Sequence, residues 1–331
     1  MDPLNEKLVT IFGGSGFLGT QVVQALSRAG YRIRVAVRRP DLAGHVTIYG
    51  NVGQIQPIQA NLRHAASVAR AVAGADVVIN LVGIGGERGA QTFNAVHTQG
   101  AQTVAAAAKA ARASVLVHLS ALGVDRAERS AYARSKLAGE AAVLAAFPQA
   151  VILRPSLMFG ADDGFFNLMG SLARMFPAMP LVCGDTRFQP VYVGDVADAV
   201  TLAASGKVKG GRTYELGGPQ VETHRELLTR ILRETARKRP LVPLSPGMAK
   251  LLALPLSILP GQPLLTKDQV ELLGVDNVVS EAAIREKRTL EGLGIVPTSM
   301  DTILPTYMWR FRRNGQFDRN LIEGANEGAT L

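Results

Sequence analysis

The chain has 331 residues, 47% hydrophobic and 19% charged, which is enough apolar material for a buried core and excludes a disordered chain. Its single cysteine, Cys183, excludes an intramolecular disulfide framework and a thiolate zinc site. The 36 Lys and Arg against 27 Asp and Glu give a formal charge of +9, which suits phosphates, anionic lipid or acidic protein surfaces without choosing among them.

The opening MDPLNEK has neither the apolar core of a signal peptide nor an Arg-rich, acid-poor character, so a soluble or peripheral chain is expected. Leu8–Phe12 reads as a buried strand, followed by glycines and a helix from Phe17 to Ala29. Arg32–Val37 is a second strand. Val77–Val82 and Val115–Leu119 follow, each after an Ala-rich helical pattern, and then Val151–Arg154. Continuous β-branched runs between helices predict a parallel sheet covered on both faces, hence a doubly wound α/β fold. Beyond Gly160 the pattern loosens. Val191–Ala204 returns as strand then helix, and Thr213–Leu216 is one more strand. From Pro219 the chain turns helical and basic (Arg225, Arg230, Arg233, Arg237, Lys238, Arg239). The expected division is a domain over 6–218, with an excursion into a second lobe near 160–190, and a smaller, mostly helical C-terminal lobe and tail over 219–331.

Gly13-Gly14-Ser15-Gly16-Phe17-Leu18-Gly19 places Gly-x-x-Gly-x-x-Gly between the first strand and the first helix. Gly13 permits a tight turn, Gly16 lets backbone approach a pyrophosphate, and Gly19 allows close helix–strand packing. The N–H groups of the helix start then face an anion. Gly13, Ser15, Gly16, Phe17 and Leu18 are therefore candidate dinucleotide contacts. The second strand runs out in Arg38-Arg39, where an NAD site usually carries a carboxylate. Two guanidinium groups there favour a 2′-phosphate, and so NADPH over NADH; the bland reading is a solvated basic loop.

Tyr132-Ala133-Arg134-Ser135-Lys136 puts a phenol and an ammonium on one helical face. The ammonium favours phenolate and lowers the pKa of a proton donor or acceptor. Ser120, at the end of a strand, offers a hydroxyl to a substrate oxygen. Ser120, Tyr132 and Lys136 are the candidate catalytic residues.

With these pieces in order, the sequence resembles the extended and atypical branch of the short-chain dehydrogenase/reductase superfamily. The matching stretches are GGSGFLG, Asn80–Gly83, His118–Gly123, YARSK, Leu153–Gly160 and Pro190–Val200. The resemblance implies that Asn61 and Leu62 lie near the adenine, although Asp is commoner than Asn at position 61. It implies that Leu81, Val82 and Gly83 line the cofactor. Tyr132 and Lys136 would approach the nicotinamide ribose, with Pro155 and Ser156 beside the nicotinamide. A closer resemblance, reaching through LTKDQVELLGVDNVVS (Leu265–Ser280) and ILPTYMWRFRRNGQF (Ile303–Phe317), is to the NADPH-binding accessory subunits of respiratory complex I. It implies a tightly held, structural NADPH. It also implies other complex I subunits as partners, at the junction of the peripheral and membrane arms. The place would be the cytoplasmic face of a bacterial inner membrane, or the matrix side for a trimmed mitochondrial chain. The alternative is a free NADP-dependent reductase or epimerase, including one in quinone biosynthesis. Retention of Tyr132 and Lys136 suits both, since the resemblance implies that both residues also bind the ribose.

Residues 246–265 are apolar but broken by prolines. They read equally as a membrane or partner face and as a lobe core. Trp309 with Arg310, Arg312 and Arg313 reads as an anchor for anionic lipid or an acidic subunit, or as a packed Trp in a solvated tail. The five histidines lack metal-ligand spacing, so no metal is expected. His97 is assigned to packing or hydrogen bonding, Asp162, Asp163 and Asp185 to turns, and Asp195 to the order of the fold. No motif supports nucleic-acid binding.

Overall fold

Val9 and Ile11 of the first strand enter one apolar core and Phe12 enters another, so both sides of the strand are buried. Val77 and Ile79 against Val78, and Val151 and Leu153 against Ile152, divide in the same way. This two-sided burial is why the strands read as continuous apolar runs. The computed structural model describes residues 5–249, 251 and 266–317. Most of the broken apolar stretch 246–265 and the tail after Phe317 lie outside the described residues.

Seven strands form one parallel sheet: β1 (Asn5–Phe12), β2 (Tyr31–Val37), β3 (Ile55–Gln59), β4 (Val77–Asn80), β5 (Val115–Leu119), β6 (Val151–Pro155) and the strand Arg212–Leu216. Their spatial order is β3-β2-β1-β4-β5-β6, closed by Arg212–Leu216 beside β6. Helix α1 (Phe17–Arg28) packs on one face through Val22, Val23 and Leu26. Helices α2 (Ala65–Val72), α3 (Ala101–Ala110) and α4 (Ala131–Ala146) cover the other. The β3 strand was hidden in the sequence by Pro57. Proline cannot donate to a ladder, and β3 tolerates it because it is the edge strand. Because β1 lies between β2 and β4, the connections leave it in opposite directions. That opens a crevice at the carboxyl ends of β1 and β4.

A second core forms beyond that crevice. Helix α5 (Phe165–Met175) contributes Phe166 and Ala173, and the later segments contribute Leu227, Leu228, Ile231, Leu304 and Met308. Asp163 ties these parts together. Its carboxylate accepts the Tyr307 hydroxyl at 2.6 Å and the Phe166 N–H at 2.6 Å, serving the turn expected of it and a contact 144 residues away. Helix α6 (Val193–Ala204) packs on α1's side of the sheet, and its Asp195 accepts the Thr298 N–H at 2.6 Å and hydroxyl at 2.8 Å. Ser280 N–H donates to Glu215 at 2.7 Å and Leu290 joins the sheet core, so residues beyond 219 serve both cores.

Much of the basic character of the C-terminal half is spent inside the lobe. In helix α7 (His224–Glu234), Arg230 pairs with Glu222 and Asp301. Arg237, Arg239 and Arg312 donate to the carbonyls of Phe311, Ala173 and Glu234. Arg310 bonds the Ala161 carbonyl and Asn167, while Trp309 donates to Thr306 at 2.9 Å. Among the described residues no helix is long and apolar enough to cross a membrane.

Candidate functional site

One cleft of about 1620 Å³ runs along the carboxyl ends of β1, β4, β5 and β6. Every candidate cofactor or catalytic residue lines it: Gly13, Ser15 to Leu18, Arg38 and Arg39, Asn61 and Leu62, Leu81 to Gly83, Ser120, Tyr132, Lys136, Pro155 and Ser156.

The glycine loop is built by close approach. Gly13 has φ +82°, and its carbonyl accepts the Gly16 N–H at 3.2 Å. A Cβ on Gly19 would lie 2.1 Å from that carbonyl oxygen, so only glycine fits there. Gly16 lines the cleft, and a Cβ on it would meet nothing nearer than the Gly13 carbonyl oxygen at 3.6 Å. Gly16 caps α1 without a side-chain bond, and the first turn holds no acidic residue. The first N–H groups of α1 are therefore left for an anionic ligand.

Arg38 and Arg39 are both exposed where β2 ends. Counting them as two uncommitted guanidinium groups needs correction. Arg39 grips the Asp41 carboxylate through Nε at 3.1 Å and Nη2 at 2.7 Å. A carboxylate thus stands two residues beyond the position at which none was found, and Arg38 carries more of the local charge. At the adenine-side wall, Asn61 Oδ1 accepts the Arg63 N–H at 3.1 Å, and Leu62 is buried.

Helix α4 carries Tyr132 and Lys136 along the opposite wall. Ser130 is its N-cap and accepts the Ala133 N–H at 3.1 Å. Lys136 is buried, and Nζ donates to the Leu119 carbonyl at 3.1 Å. Burial brings its pKa down to about 8, against an opposing pull from Glu140. Glu140 in turn holds Arg154 in a buried two-pronged pair, 2.8 Å at each prong. Tyr132 does not show the expected lowering. Desolvation pushes its phenol up to about 12, and the charge of Asp268 adds to the rise. The ammonium that was to favour phenolate is itself desolvated by burial and bonded to a backbone oxygen.

Ser120 Oγ and His118 Nε2 are buried with no hydrogen-bond partner among the described residues. An orphaned hydroxyl beside Tyr132 and Lys136 is what a site that receives a ligand oxygen leaves behind. His118 Nδ1 meets the Asn80 amide at 3.2 Å, and burial holds the ring's pKa down to about 3. His97 sits in a π-helical turn (Asn94–Gly100). Its Nε2 accepts the Ile84 N–H at 3.0 Å, its Nδ1 lies 2.9 Å from Ser135 Oγ, and its ring stands edge-on to Tyr132. The hydrogen-bonding role expected of it is the role it has.

Two site residues escaped the sequence reading. Asp268 accepts the Ser130 hydroxyl at 2.8 Å and the Ala131 and Tyr132 N–H groups at 2.6 and 3.2 Å. It is a second cap on the Tyr–Lys helix, supplied from the far end of the chain. Asn277 accepts the Ser156 hydroxyl at 2.5 Å and donates to the Leu122 carbonyl at 2.7 Å. Ser156 therefore lines the cleft with its hydroxyl already committed. The LTKDQVELLGVDNVVS stretch carried both residues, but polar side chains in loops and helix starts gave no signal of what they would cap.

A glycine turn at the switch point of a parallel sheet, an uncapped helix start and a Tyr–Lys helix on one cleft together define a dinucleotide-binding α/β protein. The chain belongs to the NAD dependent epimerase/dehydratase family, whose model matches residues 9–217. Over 321 residues it is 33% identical to the NADH dehydrogenase (ubiquinone) 1 alpha subcomplex subunit 9, mitochondrial, of Arabidopsis thaliana, covering 93% of this chain and 79% of that one. It is 35% identical over 190 residues to the ceramide reductase of Caulobacter vibrioides, covering 57% of this chain and 58% of that one. The fold is similar to that of the NADPH-dependent quinone oxidoreductase QOR2 of Escherichia coli complexed with NADPH. There the TM-score is 0.71 at 18% identity, over 91% of this chain and 99% of that one.

Proposed function

We propose that this protein is an NADPH-holding accessory subunit of a respiratory complex I, in which the nucleotide has a structural role. The observation that carries this reading is similarity to the NADH dehydrogenase (ubiquinone) 1 alpha subcomplex subunit 9 over 93% of the chain, well past the residues 9–217 that the family model matches. The cleft residues fit the nucleotide. In this reading Gly13 to Leu18 hold the pyrophosphate, Arg38 and Arg39 the 2′-phosphate, and Asn61 and Leu62 the adenine side. Leu81, Val82, Gly83, Pro155 and Ser156 line the nicotinamide half, and Tyr132 and Lys136 hold the ribose. Bound NADPH would supply a hydride donor. It would also stabilise the fold by linkage, since a ligand of the native state alone adds about 4 kcal/mol at a thousandfold excess over its dissociation constant. The C-terminal half would meet neighbouring subunits or the lipid surface, on the side of the membrane where NADH is oxidised: the cytoplasmic face in a bacterium or the matrix in a mitochondrion.

A second reading, a free NADP-dependent reductase, is favoured by one feature: Ser120 Oγ is orphaned and buried beside Tyr132 and Lys136. In it Tyr132 passes a proton to a substrate oxygen that Ser120 orients. Solubilising native membranes in mild detergent and separating complexes by size tests the two. Co-migration with NADH:quinone oxidoreductase activity is expected. A small soluble species that turns over NADPH would transfer the assignment to the second reading.

A further inference from the structure

Helix α5 is apolar on two faces. Phe166 and Ala173 are buried in the second core, with Phe165, Met169 and Leu172 packed against its edge. Phe165, Leu168, Met169 and Leu172 recur at the helical period on another face and line the cleft, continued by Phe176 just past the helix end. Leu272 lines the same cleft. The cleft's volume of about 1620 Å³ exceeds the ~300–1,000 Å³ of one small-molecule site. A dinucleotide between the glycine loop and Tyr132 leaves the α5 end over.

The chemistry of that end is one-sided. The cationic residues of the described lining, Arg38, Arg39, Arg63 and Lys136, all stand in the nucleotide half. None lines the α5 half, so a second phosphate or diphosphate has no counter-charge there. Several polar residues of the lining are engaged elsewhere: His224 Nδ1 lies 2.7 Å from the Val182 carbonyl, Asp268 accepts from the start of α4, Gln269 Oε1 accepts the Thr266 N–H at 2.9 Å and Asp276 pairs with Arg187 at 2.7 Å. The orphaned Ser120 hydroxyl lines the same cleft. At the outer end Phe176 and Met175 are 51% and 63% exposed, with Val242 at 44% nearby on the strand that pairs beside Met179–Val182. Among these apolar side chains stands the exposed Arg174, and Arg239 donates to the Ala173 carbonyl at 3.1 Å.

We propose that the α5 half of the cleft binds the long apolar chain of a lipid-like ligand whose polar head, a carbonyl or hydroxyl, reaches Ser120 and Tyr132. This rests on the reading that NADPH fills the glycine-loop half, and it names the class of molecule the other half takes. A sugar nucleotide is the wrong chemistry: it needs cations and hydrogen-bonding groups where this wall offers phenyl, leucyl and thioether side chains.

The test titrates the full chain with a pyrene-labelled long-chain primary alcohol, read by fluorescence, with UDP-glucose as competitor. NADPH content is measured separately on the same samples. Saturable probe binding that UDP-glucose does not displace is expected. Leu168→Glu/Leu172→Glu should weaken it by about a hundredfold, since two leucyl contacts are lost and charge is placed in an apolar wall. The milder Leu172→Ala should weaken it by roughly tenfold, and NADPH content should be unchanged in both. Absence of saturable probe binding, displacement by UDP-glucose, or equal probe affinity in the wild type and both variants would overturn the proposal. Probe binding in a protein that never holds NADPH would leave the apolar site standing and sink the nucleotide reading instead.

Discussion

Asp268 accepts the backbone N–H of Tyr132 at 3.2 Å from 136 residues further along the chain. The same carboxylate takes the Ala131 N–H and the Ser130 hydroxyl, so the helix carrying Tyr132 and Lys136 is capped from the C-terminal half. The site is therefore not a property of the nucleotide-binding segment alone. Tyr132 is placed, and its phenol held more firmly protonated, by a segment that the family model's match over 9–217 does not include.

Asp268→Asn keeps the shape of the cap and removes its charge. The phenol of Tyr132, now held up to about 12 by burial first and Asp268 second, should titrate at lower pH in the variant. Asp268→Ala loses the cap as well and should cost about 0.5–2 kcal/mol of stability. Difference absorbance of phenolate across a pH series and urea unfolding measure the two effects. An unmoved phenol titration in Asp268→Asn would show that the carboxylate only holds the helix.

Arg38 and Arg39 should not be equivalent. Arg39 is shared with Asp41, whereas Arg38 is not. Arg38→Ala is expected to weaken NADPH by about 10- to 100-fold, the value of a charge-assisted bond, and NADH by much less. Arg39→Ala should have the smaller effect. Calorimetric titration of both nucleotides against both variants checks this, and equal losses for NADPH and NADH would remove the case for a 2′-phosphate site.

The glycine loop separates folding from binding. Gly19→Ala drives a Cβ to 2.1 Å from the Gly13 carbonyl and must displace the loop, so stability and nucleotide should both be lost. Gly16→Ala has room, its backbone being extended (φ −87°, ψ −178°), and should fold normally while filling the anion seat. Melting temperature and retained nucleotide, measured together, should therefore fall together in the first variant and diverge in the second.

Acid should destabilise the fold through buried histidines. His118 and His97 are held down to about 3 by burial, and by the nearby Lys136 charge. In the unfolded chain they take up protons near pH 6.5. The unfolded state therefore binds more protons between about pH 6.5 and 3, and stability falls as pH drops through that window. By pH 5 the loss is on the order of 1–2 kcal/mol per histidine. Urea midpoints at pH 7 and pH 5 should differ less in His118→Gln than in the wild type. An identical pH dependence would show that His118 protonates as easily folded as unfolded.

What the sequence determined by itself is local. Glycines at fixed offsets after a β-branched run mark a turn because only their lack of Cβ permits it, and Tyr132 and Lys136 share a face because a helix has a fixed period. Continuous apolar strands announce a sheet buried on both sides, as Val9 and Phe12 entering opposite cores demonstrate. Pro57 concealed β3 because edge placement, which makes a proline harmless, is a fact of sheet order. Only the tertiary structure set the direction of the Tyr132 shift, since desolvation and the charge of Asp268 depend on what packs around the ring. It also committed Ser156 to Asn277, drew the basic residues of α7 and its surroundings into internal pairs, and turned a second apolar face of α5 toward the cleft. Side-chain type and spacing dictate backbone conformation over a few residues. Which charges meet, and which surfaces are dry, is decided by contacts between separate segments of the folded chain, and no periodicity in the sequence encodes those.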